Sequence, residues 1–156
     1  MTGRENETPG VPVPPPAIFG GAFIAGLALD LILPLRLASR FERLVVGGAL
    51  AALGVTIGGA AARDMRASGT ALDPRKPTTA LVTSGPFRRT RNPLYLSMAL
   101  CYAGAALLLN RIAALFLLPF VVRAVERSAI EREERFLERK FGNAYREYRK
   151  RVPRWF

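Results

Sequence analysis

Leu44-Val45-Val46-Gly47-Gly48-Ala49-Leu50-Ala51-Ala52-Leu53-Gly54-Val55-Thr56-Ile57-Gly58-Gly59-Ala60-Ala61-Ala62 runs from one arginine to the next without a charge. As a helix rising about 1.5 Å per residue it reaches roughly 28 Å, close to the hydrocarbon thickness of a bilayer. Gly54 and Gly58 form a small-xxx-small pair, the spacing that lets two membrane helices approach closely. Upstream, 17–35 is a second run of the same reach, apolar except for Asp30, with Pro34 placed to end or kink it. Asp30 lies near one end of that run, where it is expected to reach the headgroups or pair with Arg36; a functional role is the lesser reading. Ahead of it, 1–16 holds Pro9, Pro12, Pro14, Pro15 and Pro16 among small and polar residues and is expected to be a disordered lead-in. It lacks the basic start, apolar core and small-residue cleavage site of a signal peptide.

Downstream, 63–91 is a polar connection with Pro74, Pro77, Gly85 and Pro86, residues that form turns rather than helices. Pro93–Leu109 is a third apolar run, and Asn110-Arg111 joins it to a fourth at Ile112–Val125, as in a helical hairpin. The fourth reaches only about 21 Å, with Arg123 snorkelling at its end. A helix is then expected over 126–141, closed by Gly142, and an aromatic tail of Tyr145, Tyr148, Trp155 and Phe156 reads as an interface belt. The expected fold is an all-α integral membrane protein, about four transmembrane helices with a cytosolic C-terminal helical extension, in one domain over 17–156.

Charge orients it. The 63–91 loop and the tail from Arg123 hold about 18 of the 23 Lys and Arg. The positive-inside rule puts both on the cytoplasmic face, so the fourth run must cross and both termini are cytoplasmic, in a bacterial or archaeal inner membrane. Arg36, Arg40 and Arg43 then fall on the outer side, against the rule. A net charge of +11 beside apolar spans answers to anionic headgroups, and no nucleic-acid partner is expected. There is no histidine, which removes imidazole catalysis and His-ligated metals. Cys101 is the single cysteine and sits in an apolar run, so neither an internal disulfide nor a thiolate cluster can form. No metal is expected.

Two clusters remain for chemistry: Gly85-Pro86-Phe87 with Arg91-Asn92-Pro93-Leu94-Tyr95, and Glu133-Glu134. The hairpin of the third and fourth spans makes them neighbours. Each has a plain structural reading, since Asn-Pro can cap a helix and a Glu pair can meet arginines one turn away. In order, however, Gly-Pro-Phe, Arg-Asn-Pro-Leu-Tyr, Glu-Glu-x-x-Leu, Phe-Gly-x-x-Tyr-x-x-Tyr and Val-Pro-Arg resemble the isoprenylcysteine carboxyl methyltransferase and phospholipid methyltransferase family, over roughly 72–154.

The resemblance implies an S-adenosylmethionine-dependent methyltransferase with its cofactor at the cytosolic membrane surface. It assigns cofactor contacts to Thr79, Ala80, Leu81, Val82 and Phe87, to Asn92, Pro93, Leu94 and Tyr95, and to Glu133. Arg91, Asn92 and Tyr95 are the candidate catalytic residues. The chemistry agrees: a carboxylate and aromatic faces suit the sulfonium and ammonium, and an arginine or helix N-terminus suits the cofactor's carboxylate. In-line methyl transfer rests on positioning and requires neither metal nor covalent intermediate. Two positions depart from the family. Asn92 stands for its usual histidine and carries no base. Ala129 stands where carboxylate-methylating members place a substrate arginine, with Arg127 the nearby substitute. The expected acceptor is therefore a membrane lipid or small hydrophobic molecule bearing an amine, thiol or carboxylate. Two alternatives are a non-enzymatic membrane protein whose basic tail binds anionic lipid or a partner, and a nicotinamide-dependent membrane reductase, for which no Gly-rich fingerprint is present.

Overall fold

The computed structural model describes residues 8–34, 39–73, 76 and 78–155. All regular structure among these is helical: α1 (Pro15–Ile32), α2 (Arg40–Glu42), α3 (Gly48–Ala67), α4 (Pro93–Leu108), α5 (Ile112–Val125), α6 (Glu131–Phe141) and α7 (Asn143–Arg151). A π-helical turn at Arg43–Gly47 fuses α2 to α3, and another at Glu126–Ile130 fuses α5 to α6. Two helices are long and apolar enough to cross a membrane, Pro15–Ile32 and the 28-residue Arg40–Ala67. Both exceed or shift the expected runs. Prolines at the first helical positions, where an amide hydrogen is not needed, start α1 at Pro15. Ser39 caps the second helix, exchanging hydrogen bonds with Glu42. α4 and α5 match the third and fourth runs but are shorter, so four crossings go beyond what helix length establishes.

α3 runs antiparallel to α4, and α1 to α5. Along α3 and α4, Gly47, Gly54 and Gly58 face Leu107, Cys101 and Ser97 in turn. A Cβ on Gly54 would lie 2.7 Å from Cys101 Sγ, and one on Gly104 would lie 2.6 Å from Ala51 N. The small-xxx-small pair thus seats α4 within the same chain, and Cys101 is a packing residue there. α1 meets α5 as closely at Gly26, where a Cβ would lie 2.6 Å from Ala114 Cα. The core between these pairs stacks Phe19 and Phe23 edge-on to Tyr102, whose hydroxyl donates to Ala114 O at 3.0 Å. Ile24 and Leu31 on α1, Val46, Leu53 and Val55 on the second helix, and Phe116 and Phe120 on α5 face outward. A belt of exposed large apolar side chains on several helices is a surface for lipid.

Three expectations meet a different arrangement. Asp30 pairs with Arg111 Nη1 at 3.7 Å, across the turn between α4 and α5, and is 3% exposed; Arg36 lies outside the described residues. The lead-in, as far as it is described, packs on the domain: Val11 is 5% exposed in the main core. Tyr145 and Tyr148 form no outward belt. Gly142, at φ 53° and ψ −122°, turns the chain so that α7 folds back, burying both rings with Val152 against Leu81, Leu137 and Phe141. Such a backbone conformation is open to glycine and costly for other residues. Trp155 packs on the main core, and Phe156 lies outside the described residues.

The end of the bundle that carries the start of α1, the end of α3, the start of α4 and the α6–α7 pair also carries the 63–91 connection and the basic tail. Charge and chemistry share that end.

Candidate active site

A cavity of about 470 Å³ opens there. Its walls come from four stretches distant in sequence: the segment leading into α1, the end of α3 with the loop after it, the start of α4, and the facing sides of α6 and α7. The loop is held by Thr70, whose Oγ1 accepts from Ala80 N at 2.9 Å, while Thr79 Oγ1 donates to Gly69 O at 2.8 Å. Thr79 is thereby engaged with the loop's own backbone and stands outside the lining, which takes in Ala80, Leu81 and Val82. Tyr148 Oη donates to Phe87 O at 2.8 Å and fixes the short 3-10 turn Gly85–Arg88 that presents Phe87. Arg91, Asn92, Pro93, Leu94, Tyr95 and Glu133 all line the same cavity. Arg127 does not; it is exposed on the π-helical turn before α6.

Glu133 and Glu134 point to different partners. Tyr95 Oη donates to Glu133 Oε1 at the cavity wall. Burial pushes the Glu133 carboxyl up to about 7; the Tyr95 hydrogen bond opposes this and the neighbouring Glu134 charge adds to it. Glu134, 9% exposed, meets Arg91 Nη1 at 2.8 Å and Arg154 Nη2 at 2.7 Å. The pair is therefore not a solvated face with arginines one turn away; its ion partners come from the loop before α4 and from the tail. Arg91 is committed to Glu134 and Tyr145, although its Nε has no hydrogen-bond partner. Burial raises the phenols of Tyr145 and Tyr148, which stay neutral near pH 7.

Asn92 occupies the N-cap position of α4 but makes no side-chain cap. It is 7% exposed, and its Nδ2 donates to Arg154 O at 3.2 Å. The first-turn amides of α4 are left without a side-chain cap, a site that suits a ligand carboxylate.

The donor set fits S-adenosylmethionine: the half-buried Glu133 carboxyl, aromatic rings at Phe87 and Tyr95, an uncapped helix start and room for a drug-sized molecule. Several lining residues were not singled out by the motif. Pro9, Pro14, Met65, Leu72 and Met98 enter only through the folded arrangement; Tyr145 and Tyr148, read from the sequence as an interface belt, line the cavity as well. The Phe-Gly-x-x-Tyr-x-x-Tyr spacing, with a turn at the glycine, is the signal that carries the last two.

The sequence pattern of the phospholipid methyltransferase family matches residues 42–144. This chain belongs to that family. Its members are methyltransferases, and with two apolar helices of spanning length the chain is a membrane protein of that class. A Haemophilus influenzae protein described as uncharacterized is 40% identical over 63 residues, which span 40% of this chain and 98% of that protein. No solved structure matches the chain.

Proposed function

We propose that this methyltransferase moves the methyl group of S-adenosylmethionine to a lipidic or small hydrophobic acceptor that reaches the cavity from the bilayer. The observation that carries the reading is the convergence of Ala80–Val82, Phe87, the Arg91–Tyr95 segment and Glu133 on one cavity, with Tyr95 and Glu133 hydrogen-bonded in its wall. When bound, the cofactor supplies an electrophilic methyl on a cationic sulfur. Glu133 offers the negative charge, the aromatic rings of Phe87 and Tyr95 offer their faces, and the start of α4 offers amides to the cofactor's carboxylate. Tyr95 orients the Glu133 carboxylate. The packed walls hold the acceptor in line and exclude water. Arg127, outside the cavity, is assigned no part in this reading. Four crossings with both termini in the cytoplasm place the cavity at the cytosolic interface, where lipid headgroups lie.

Purified protein incubated with methyl-labelled S-adenosylmethionine and a membrane lipid extract tests this. Label passing into a chloroform-soluble product is expected, and Glu133→Ala should abolish it. Label that stays in the aqueous cofactor with every extract sinks the reading.

A further inference from the structure

The Val152-Pro153-Arg154 segment lies behind the cavity and takes up what the cavity-lining motif leaves open. Arg91 N donates to Pro153 O at 3.0 Å. Arg154 O accepts twice, from Thr90 Oγ1 at 2.8 Å and from Asn92 Nδ2 at 3.2 Å. The Arg154 guanidinium then crosses to α6 and the π-helical turn before it, holding Glu134 through Nη2 at 2.7 Å and Nε at 3.2 Å, and Glu126 through Nη1 at 2.5 Å. Arg123 closes the chain of charges on Glu126 at 2.8 Å. One residue therefore ties the start of α4 to the helix that carries Glu133. It does so through its carbonyl on one side and a planar fork on the other, a geometry lysine cannot copy.

We infer that Arg154 is a positioning residue of the methyl-transfer site. Its carbonyl engages the Asn92 amide as a tie between the tail and the start of α4. Its guanidinium neutralises Glu134, so that Glu133 remains the carboxylate available to a cationic ligand. This rests on the proposed function. Asn92 has an amide in place of a base, and that amide is spent on the tail, which gives the departure from the family's histidine a structural meaning. With Arg154 present, two arginines, Arg91 and Arg154, offset Glu134, the neighbouring charge that pushes Glu133 up. Without Arg154 less of that charge is offset, and ionising Glu133 costs more. The groups that line the cavity with Glu133 are Tyr95 and Arg91 at the start of α4, Glu134 on its own helix, Tyr145 and Tyr148 on α7, and Asp73 on the loop after α3.

The full chain in lipid nanodiscs is titrated with S-adenosylmethionine from pH 6 to 9, and the pH midpoint of affinity is read. Arg154→Gln should raise that midpoint by about one pH unit. Adding Glu134→Gln should bring it back to the wild-type value or below, a rescue that a merely structural role does not produce. Arg154→Lys keeps the charge and loses the fork, so the midpoint should hold while affinity falls about threefold or more. A wild-type midpoint and affinity in Arg154→Gln overturns the inference and leaves the proposed function standing. Should that variant not fold, wild-type affinity in Arg154→Lys overturns it instead. A wild type that binds no cofactor at any pH strikes the proposed function, and the inference with it.

Discussion

At Glu133 a half-buried carboxyl accepts the hydroxyl of Tyr95, and desolvation pushes it up to about 7, near neutral pH. One residue on, Glu134 spends its charge on Arg91 and Arg154. The Glu-Glu pair is legible in sequence as a motif, but this division of roles is not, because it depends on partners from the loop before α4 and from the tail. Asn92 is a similar case. As an N-cap residue it is expected to bond its own helix, and tertiary contact with Arg154 wins instead. Glu133→Ala should weaken S-adenosylmethionine binding about ten- to hundredfold, the scale of a charged hydrogen bond. Glu138→Ala, which removes a half-exposed partner of Arg149, should leave binding within about twofold. Equal losses in calorimetry would count against the placement of Glu133. A cation prefers the ionised carboxylate, so affinity should rise as pH passes upward through about 7 and level off above it. The empty fold carries the opposite sign. A carboxyl raised above its ordinary value stabilises the folded state below that value, and this contribution is lost as pH rises through about 7. Affinity falling across that range would contradict the role given to Glu133.

Among the elements, the helix runs could be read from hydrophobicity because a bilayer demands length and uniformity, and α4 and α5 keep nearly the expected bounds. The start of α1 and the fusion of α2 into α3 could not, because prolines and a polar cap set them locally. α7 was hidden by its charge: Tyr145 and Tyr148 are buried only because Gly142 folds the helix back. The glycines on α3 separate cleanly into contact and free positions. Gly54→Leu forces α3 from α4 at Cys101 and should cost about 1–3 kcal/mol, seen as a lower unfolding temperature. Gly59→Ala, with nothing near its Cβ, should be neutral or stabilise by up to about 1 kcal/mol, the helix-propensity gain. Equal loss at the two positions would mean that the α3–α4 contact is not what seats the helix.

For the whole molecule, the two regions richest in Lys and Arg and the cavity occupy one end of the bundle, while Asp30 and Arg111 meet at the other. That the two basic regions share one end was readable from the charge distribution, because the positive-inside rule acts on loops without reference to the site. The proposed crossings put the 63–91 loop and the C-terminus on the cytoplasmic face together. Accessibility of tags at both places in sealed vesicles should be the same, and opposite accessibility would take the cavity apart. Calorimetric titration of the purified wild type with S-adenosylmethionine at pH 8 tests the central claim most directly. Saturable binding at one site per chain, weakened about ten- to hundredfold in Glu133→Ala, is the expected result; no binding at millimolar cofactor would contradict the account.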